Sequence, residues 1–590
     1  MINWVHPGLL LIFGALLIPL LKGRLKRAWQ IVLPAASLAV CVLMPQGIFG
    51  QVDFLGLHLT FGRVDRLSLI FSYVFCIAAV ISMIYALHVK DDGQHVAAMI
   101  YAGSALGVTF AGDFLVLFIF WEGLAFSSVF LVWLNRTDSS LKAGFRYLLI
   151  HVFGGICLLG GLVLHFADTG SIAFNSMMPF AGGRAFYLIL TGFILNAAVP
   201  PLGAWLPDAY PEATVTGAIF MTAFTTKSAV YVLIRGFAGT EILIWLGAVM
   251  AIYGVVYAVL ENDARRLLAY HIISQVGYMV CGVGIGTQLA LNGAAAHAFA
   301  HILYKGLLFM GAGAVLEMTG KRNLSDMGGL YKTMPITMSL YMIGGFSISS
   351  VPLFSGFVSK AMVVSGAGEA HLMIPYLMLT LASAGTFLHT GLKLPYYMFF
   401  AKDSGIRTKE PPNNMLVAMG LAAYLCVVIG VLPQVFYSLL PYDVPYVPYT
   451  LQHIFGTLGM LGFTALGFFM LLRMLDPEPT ISLDTDWFYR RAAKAFMAVV
   501  RKPIADFEYR VVGEAYDHII RAAVFSVSKL VNLIETGAAQ PAVDAVAGGT
   551  NRMGAILQRL QTGRVHDYAF AMAVGIVALA LSYAIWWGMS

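Results

Sequence analysis

The stretch ALNGAAAHAFAHILYKGLLFMGAGAV, residues 290–315, is almost wholly apolar and yet carries a His-x3-His-x3-Lys ladder of His297, His301 and Lys305. On a helix of about 3.6 residues per turn, a spacing of four stacks the three titratable groups along one face, where a proton can pass between neighbours. Ionisable side chains at membrane depth cost roughly 2.5–3.5 kcal/mol each, and their default meaning there is functional, most often a proton relay.

The rest of the composition fits that solvent. Of 590 residues 59% are hydrophobic and only 11% charged, against about 25% charged in soluble domains. The expected fold class is an all-α polytopic membrane protein. The first apolar segment, Val5 to Leu21, has its basic cluster (Lys22, Arg24, Lys26, Arg27) behind it, which suits an uncleaved first span. Five cysteines stand singly in separate apolar segments, with no spacing for zinc or iron–sulfur ligation. No nucleotide-binding glycine motif occurs, so neither a metal nor a cofactor is expected on this chain. The net charge of +6 sits in short loops, where it sets topology and implies no nucleic acid.

Runs of about 20 apolar residues predict about 16 spans, near 4–21, 30–48, 67–88, 95–111, 113–134, 144–166, 185–203, 214–235, 241–260, 266–286, 290–317, 335–362, 373–401, 413–439, 452–474 and 567–588. The loops richest in Lys and Arg fall mostly on one side, which predicts an inner-membrane protein with both termini outside. Spans 7 and 12 are interrupted by proline, at Pro200-Pro201 and at Pro352. Broken helices at matching places point to an inverted repeat with a pathway at its interface. The expected organisation is helices 1–3 (1–94), a first half (95–236), a second half (237–402), helices 14 and 15 (403–475), a segment at 476–565 and a last span (566–590). In the penultimate segment charges recur among Trp487, Phe488, Phe496, Ile504, Phe507, Val511, Ile519 and Val524, with Arg490, Arg491, Lys494, Arg501 and Lys502 crowding its start. That pattern suits a lateral amphipathic helix against lipid or neighbouring protein.

Further ionisable groups lie inside predicted spans. Glu122 is central in FLVLFIFWEGL, and Lys227 in TTKS is the cationic candidate of the same half. Low dielectric disfavours a lone charge, so a carboxylate whose cationic neighbour moves becomes a switchable proton site. Lys360 follows the second break, and His389 and Lys393 form another i, i+4 pair. One carboxylate among several Lys and His describes a chain for protons, whereas a hard cation needs several oxygen ligands.

These motifs resemble the antiporter-like family shared by the membrane subunits of Mrp-type Na+/H+ antiporters and the proton-pumping membrane subunits of respiratory complex I. The resemblance rests on Phe120-Trp121-Glu122, Trp205-Leu206-Pro207-Asp208-Ala209-Tyr210, Thr226-Lys227-Ser228-Ala229-Val230-Tyr231, Asp263 to Tyr270, Ser274-Gln275-Val276-Gly277-Tyr278 and the ladder. The second and third motifs look most like the D-type Mrp protein. The ladder and the tail, with Leu560-Gln561-Thr562-Gly563-Arg564 before the last span, look more like the NuoL-type protein with its lateral helix. The resemblance implies two inverted five-helix repeats around a hydrated axis, Glu122 and a lysine at the entry, Lys305 as relay and Lys360 as exit. It also implies other membrane subunits as partners.

One departure stands out. Where the family has a lysine before the break of span 7, this chain has Asn196, and Gly203 replaces a polar residue ahead of Trp205. Asparagine cannot change charge, so Lys227 is expected to take over as the partner of Glu122, the alternative being that the first half does not transport. The expected function is a proton-translocating subunit of an Mrp-type Na+ or K+/proton antiporter, with no catalytic centre of its own and with contacts to lipid. The alternatives are the same role in a complex I-like oxidoreductase or membrane hydrogenase, or in an inorganic-carbon uptake complex.

Overall fold

Without water to bond to, a lipid-immersed backbone must satisfy its own polar groups, and the helix does so within one segment. The structure is a computed structural model that describes residues 4–443, 445–478, 484–500, 502, 505–508, 514–538, 540–560 and 565–589. Among these, eleven helices are long and apolar enough to cross a membrane, and each of the segments predicted from sequence holds helix.

The chain forms two compact units, Met1–Trp487 and Phe488–Ser590. In the first, the elements are α1 (Pro7–Ala15), α2 (Gly23–Leu43), β1 (Gly47–Phe54), β2 (Leu57–Val64), α3 (Arg66–Ala86), α4 (Asp92–Phe110), α5 (Phe114–Trp133), α6 (Asp138–Thr169) and α7 (Arg184–Asn196). They continue with α8 (Trp205–Ala209), α9 (Val215–Ala223), α10 (Thr225–Phe237), α11 (Glu241–Leu260), α12 (Ala264–Ile285), α13 (Gln288–Thr319), α14 (Pro335–Ile348), α15 (Ser355–Glu369) and α16 (Met373–Thr386). Then come α17 (Asn413–Val431), α18 (Pro433–Tyr437) and α19 (Leu451–Met470). After α16 the chain widens into π-helical turns at Phe387–Lys393 and Tyr396–Phe400. After α19 come α20 (Asp486–Val499) and the short α21 (Ala505–Phe507), and the second unit continues with the amphipathic α22 (Glu514–Ala538) and α23 (Gln540–Leu560), then the apolar α24 (Val565–Met589). Of the residues singled out in this region, Arg501, Ile504, Val511 and 561–564 lie outside the described residues.

Two expectations are corrected. The chain is not all-α, because β1 and β2 pair antiparallel from Gly47↔Val64 to Phe54↔Leu57. Leu55 and Gly56, both at positive φ, make the tight turn that such a hairpin prefers. The hairpin docks through Thr60, whose N–H donates to Asp113 (2.6 Å) and whose carbonyl accepts from Gly112 N (2.9 Å). Span 2 starts earlier than predicted, because Lys26 is neutralised by Asp92 at 2.7 Å and its turn joins the helix.

Local structure recurs along the first unit. Asp113 caps α5 through Leu115 N and Val116 N, and Asp263 caps α12 through Arg265 N and Arg266 N. Thr137 caps α6 and Thr287 caps α13, and both helices run for 32 residues to a left-handed glycine, Gly170 and Gly320. Isolated bridges tie Asp113 to Ala173 and Asp263 to Asn323. In all these pairs the second member follows the first at one constant interval. The proline breaks match as well. Ala198 N donates to Leu195 O and Val199 N to Ile194 O, just as Ser350 N donates to Ser347 O and Val351 N to Phe346 O. Ala198 and Ser350 both sit at φ 60, a conformation that costs a non-glycine residue about 1–3 kcal/mol and that only the surrounding packing sustains.

α11 and α12 cross at backbone contact. A Cβ added at Gly277 would lie 2.6 Å from Ala251 N, and one at Gly247 would overlap Cys281 N. Gly277→Leu is therefore expected to destabilise the first unit by about 1–3 kcal/mol or more, read as a lower unfolding midpoint in detergent, whereas Gly420→Leu, which meets open space, leaves the midpoint unchanged.

Candidate functional site

The span carrying Lys227 is itself broken, although no proline marks the place. α9 stops at Ala223 and α10 starts at Thr225, with Phe224 between them off helical geometry (φ −103, ψ −63). The break frees backbone groups, and each finds a side chain. Met221 O accepts from Tyr210 OH at 2.8 Å, Thr225 N donates to Tyr101 OH at 3.0 Å, and Thr222 O accepts from Lys227 Nζ at 2.7 Å. Lys227 also reaches Thr226 Oγ1 at 3.1 Å, and none of it is exposed. Lys360 repeats the arrangement at the break between α14 and α15, donating to Ile348 O at 3.2 Å. Lys393, in the π-helical stretch, donates to Val259 O at 2.5 Å at the end of α11. Helix C-termini favour cations, by up to about 2 kcal/mol in partly buried geometries.

Lys305 is held differently. Within the unbroken α13 its Nζ lies 3.3 Å from His271 Nδ1, and His271 Nδ1 lies 3.1 Å from Thr390 Oγ1, which in turn is 2.7 Å from His389 Nδ1. Gln275 joins the other side. Its amide donates to His271 Nε2 (3.1 Å) and Thr386 Oγ1 (3.2 Å), and its carbonyl meets His297 Nε2 (3.2 Å). His297 Nδ1 is 3.4 Å from Ser359 Oγ, one residue before Lys360, whose Nζ stands 5.5 Å from the centre of the Tyr278 ring. The structure thus joins His297, Lys305 and His389 into one network, with Lys360 beside it. His301 sits between His297 and Tyr304, at ring distances of 6.1 and 5.3 Å, with neither ring nitrogen bonded to protein. Lys227 lies on α10, which packs against α13, the helix of His301 and Lys305.

The first half is built otherwise. The constant interval that pairs Thr137 with Thr287 also pairs His151 with His301 and Gly155 with Lys305. Gly155 leaves the space that Glu122 fills, since a Cβ added there would overlap Glu122 Oε1. The expected Glu122–Lys227 pairing is not formed. Glu122 Oε1 has no protein partner, and the Lys227 ammonium turns to the Thr222 carbonyl that the break presents. Asn196, 1% exposed, leaves both amide atoms without a protein partner, as do Trp121 Nε1, His151 Nε2 and Ser228 Oγ. Buried polar atoms are rarely left so, and a row of them marks a place where water bridges.

Sequence reading missed His271, Thr386 and Thr390. His271 lies between two quoted motifs, and the i, i+4 relation of His271 to Gln275 was the available signal.

The sequence model of the NADH:quinone oxidoreductase/Mrp antiporter transmembrane family matches residues 111–388, a stretch that contains Glu122, Asn196, Lys227, His271, Gln275, His297, His301, Lys305 and Lys360 but not Tyr101, His389, Thr390 or Lys393. The chain is 32% identical over 326 residues to the D-type protein of the Na+/H+ antiporter of Alkalihalophilus pseudofirmus, covering 52% of this chain and 65% of that one. It is 28% identical over 439 residues to the A-type protein of the Na+/H+ antiporter of the same organism, covering 65% and 54%. The chain spans about half the length of the curated relatives it matches. Its fold is that of a chain in an archaeal respiratory membrane complex, the membrane-bound sulfane sulfur reductase, with a TM-score of 0.69 at 22% identity over 98% of this chain and 99% of that one.

Gln275→Leu strips His271 and His297 of a shared partner and should cost about 1–3 kcal/mol, while Asn196→Leu removes a side chain with no protein bond to lose. The unfolding midpoint in detergent is expected to fall for the first and to change little for the second.

Proposed function

We propose that this chain, whose residues 111–388 belong to the NADH:quinone oxidoreductase/Mrp antiporter transmembrane family, is a proton-translocating, antiporter-like subunit of a multisubunit monovalent cation/proton antiporter of Mrp type. The observation that carries the reading is the buried chain of protonatable groups from His297 through Gln275 and His271 to Lys305 and His389. No core needs such a chain for packing, and burying it is costly unless it works.

In this reading the matched caps and breaks are two inverted five-helix repeats within about sixteen spans of the inner membrane, with both termini outside. α22 and α23 form a lateral amphipathic element against lipid or neighbouring subunits. Protons enter by Glu122, are relayed by Lys227, His301 and Lys305, and leave by Lys360 or by His389 and Lys393. The work is done by charge coupling. One charge crossing 100 mV corresponds to about 2.3 kcal/mol, and one pKa unit to about 1.36 kcal/mol. Movements that shift the lysines by about one or two units therefore match the energy available. Na+ or K+ is carried elsewhere in the assembly, since no oxygen cage stands among these residues.

A second reading, the same role in a redox-driven complex, is favoured by one observation. The fold match to the archaeal respiratory chain extends over 98% of this chain, whereas the matches to a chain of the Dietzia Mrp complex and to a chain of the Thermus thermophilus respiratory complex I each cover 74%.

The test is proton flux, followed with a pH-sensitive dye in everted vesicles from an antiporter-deficient host expressing the native operon. Sodium- or potassium-evoked flux that Glu122→Ala removes is the expected result. Flux evoked only by an electron donor would move the chain to the redox-driven class. Lys305→Ala is expected to abolish flux with assembly intact, and normal transport would sink the relay. Asn196→Lys is expected to alter the rate, because it returns a charge beside the break, and complete indifference would mean that the first half is silent.

A further inference from the structure

The second half's polar chain reaches His389, and Lys393 stands four residues further along the same π-helical stretch, only 3% exposed. A proton path must pass from there to a group that can hold a proton at the edge of the span. We propose that Glu261 is that group, the carboxylate that exchanges protons between Lys393 and the aqueous face, and this rests on the proton-translocating reading above.

α11 ends at Leu260, so Glu261 is the first residue past the span and stands at its edge. Lys393 Nζ crosses to the end of that helix, 2.5 Å from Val259 O and 3.3 Å from Glu261 O, which brings it to the residue whose carboxylate it would load. On its other side the carboxylate faces Arg266 Nε at 3.3 Å, with side-chain exposures of 7% for Glu261 and 35% for Arg266. Arg266 reaches water but cannot release a proton. Glu261 therefore lies between a buried amine and a solvated guanidinium. The other ionisable groups at this end are Asp263 of the same loop, Tyr270 of α12, Tyr253 and Tyr257 of α11, and Asp484, which accepts from Tyr270 OH at 2.6 Å and from Tyr253 OH. Both tyrosine hydroxyls are thus committed to Asp484.

The step conserves charge where desolvation is most severe. Lys393 Nζ gives up a proton and becomes an amine as Glu261 becomes a carboxylic acid, so the pair stays neutral overall. Loss of that proton to water restores the carboxylate, which the fixed charge of Arg266 favours, and Lys393 is reloaded from His389.

The competing account is that Glu261 merely anchors Arg266. Gln is isosteric and keeps that contact, whereas Asp keeps the proton but shortens the reach. The experiment measures flux per assembled complex in the vesicle assay for Glu261→Gln, Glu261→Asp and Lys305→Ala. The proposal expects Glu261→Gln to lose about ten-fold or more, in keeping with the loss of a proton-transfer group, and Glu261→Asp to retain clearly more than Gln. Gln equal to or better than Asp, or wild-type flux in Gln with Lys305→Ala inactive, overturns the proposal alone. Undiminished flux in Lys305→Ala instead removes the proton-translocating reading and this inference with it.

Discussion

A peptide carbonyl freed inside a membrane has to find a donor, because leaving it bare costs several kcal/mol. This chain breaks its helices beside buried lysines, and it answers the freed carbonyls with their ammonium groups. Thr222 O takes Lys227, Ile348 O takes Lys360, and the end of α11 takes Lys393. The same bonds that repair the backbone fix three ammonium groups in an apolar interior. Lys305 is the exception that joins them, since its helix is unbroken and its partner is the titratable His271. Lys227 and Lys360 take carbonyls that the breaks expose, so at these two places the irregular backbone and the buried charge account for each other.

The two halves share a scaffold and differ in what they place on it. Caps and glycine stops recur at one interval and the proline breaks match in their hydrogen bonds, but the position of Lys305 in the second half is Gly155 in the first. Glu122 occupies the room that glycine leaves. The first half therefore holds a carboxylate where the second holds an amine. Its lysine, Lys227, sits on the far side of its own break, on α10, which packs against the helix of His301 and Lys305. Asn196 completes the contrast, a neutral group at the mouth of a break with both amide atoms free of protein bonds. In this arrangement Lys227 forms no charge pair with Glu122 inside the first half and is held by Thr222 and Thr226.

Much of this was legible in the sequence, and the remainder was hidden for physical reasons. Four-residue spacing identified His297, His301 and Lys305 as one face, and prolines located the two breaks in α7–α8 and α14–α15. The break at Phe224 has no proline to announce it, since it is held by Tyr101 and Tyr210 from elsewhere in the chain. His271 and Thr390 escaped because spacing finds groups on one helix, while the network runs across α12, α13 and the π-helical turns after α16. The β1–β2 hairpin was read as loop because its alternation lies between long apolar runs that dominate any window. Glu122 and Lys227 were found, but their expected pairing was not, because the sequence does not reveal that a nearer acceptor opens at Thr222.

The central claim is that Lys227 and Lys305 communicate through His301, whose ring nitrogens have no protein partner. A cryo-EM map of the assembled native complex, at a resolution that shows ordered water, tests this most directly. The account predicts ordered waters bonded to His301 Nδ1 and Nε2 that link the two lysines. A dry His301, sealed by side-chain packing from both ammonium groups, would contradict it.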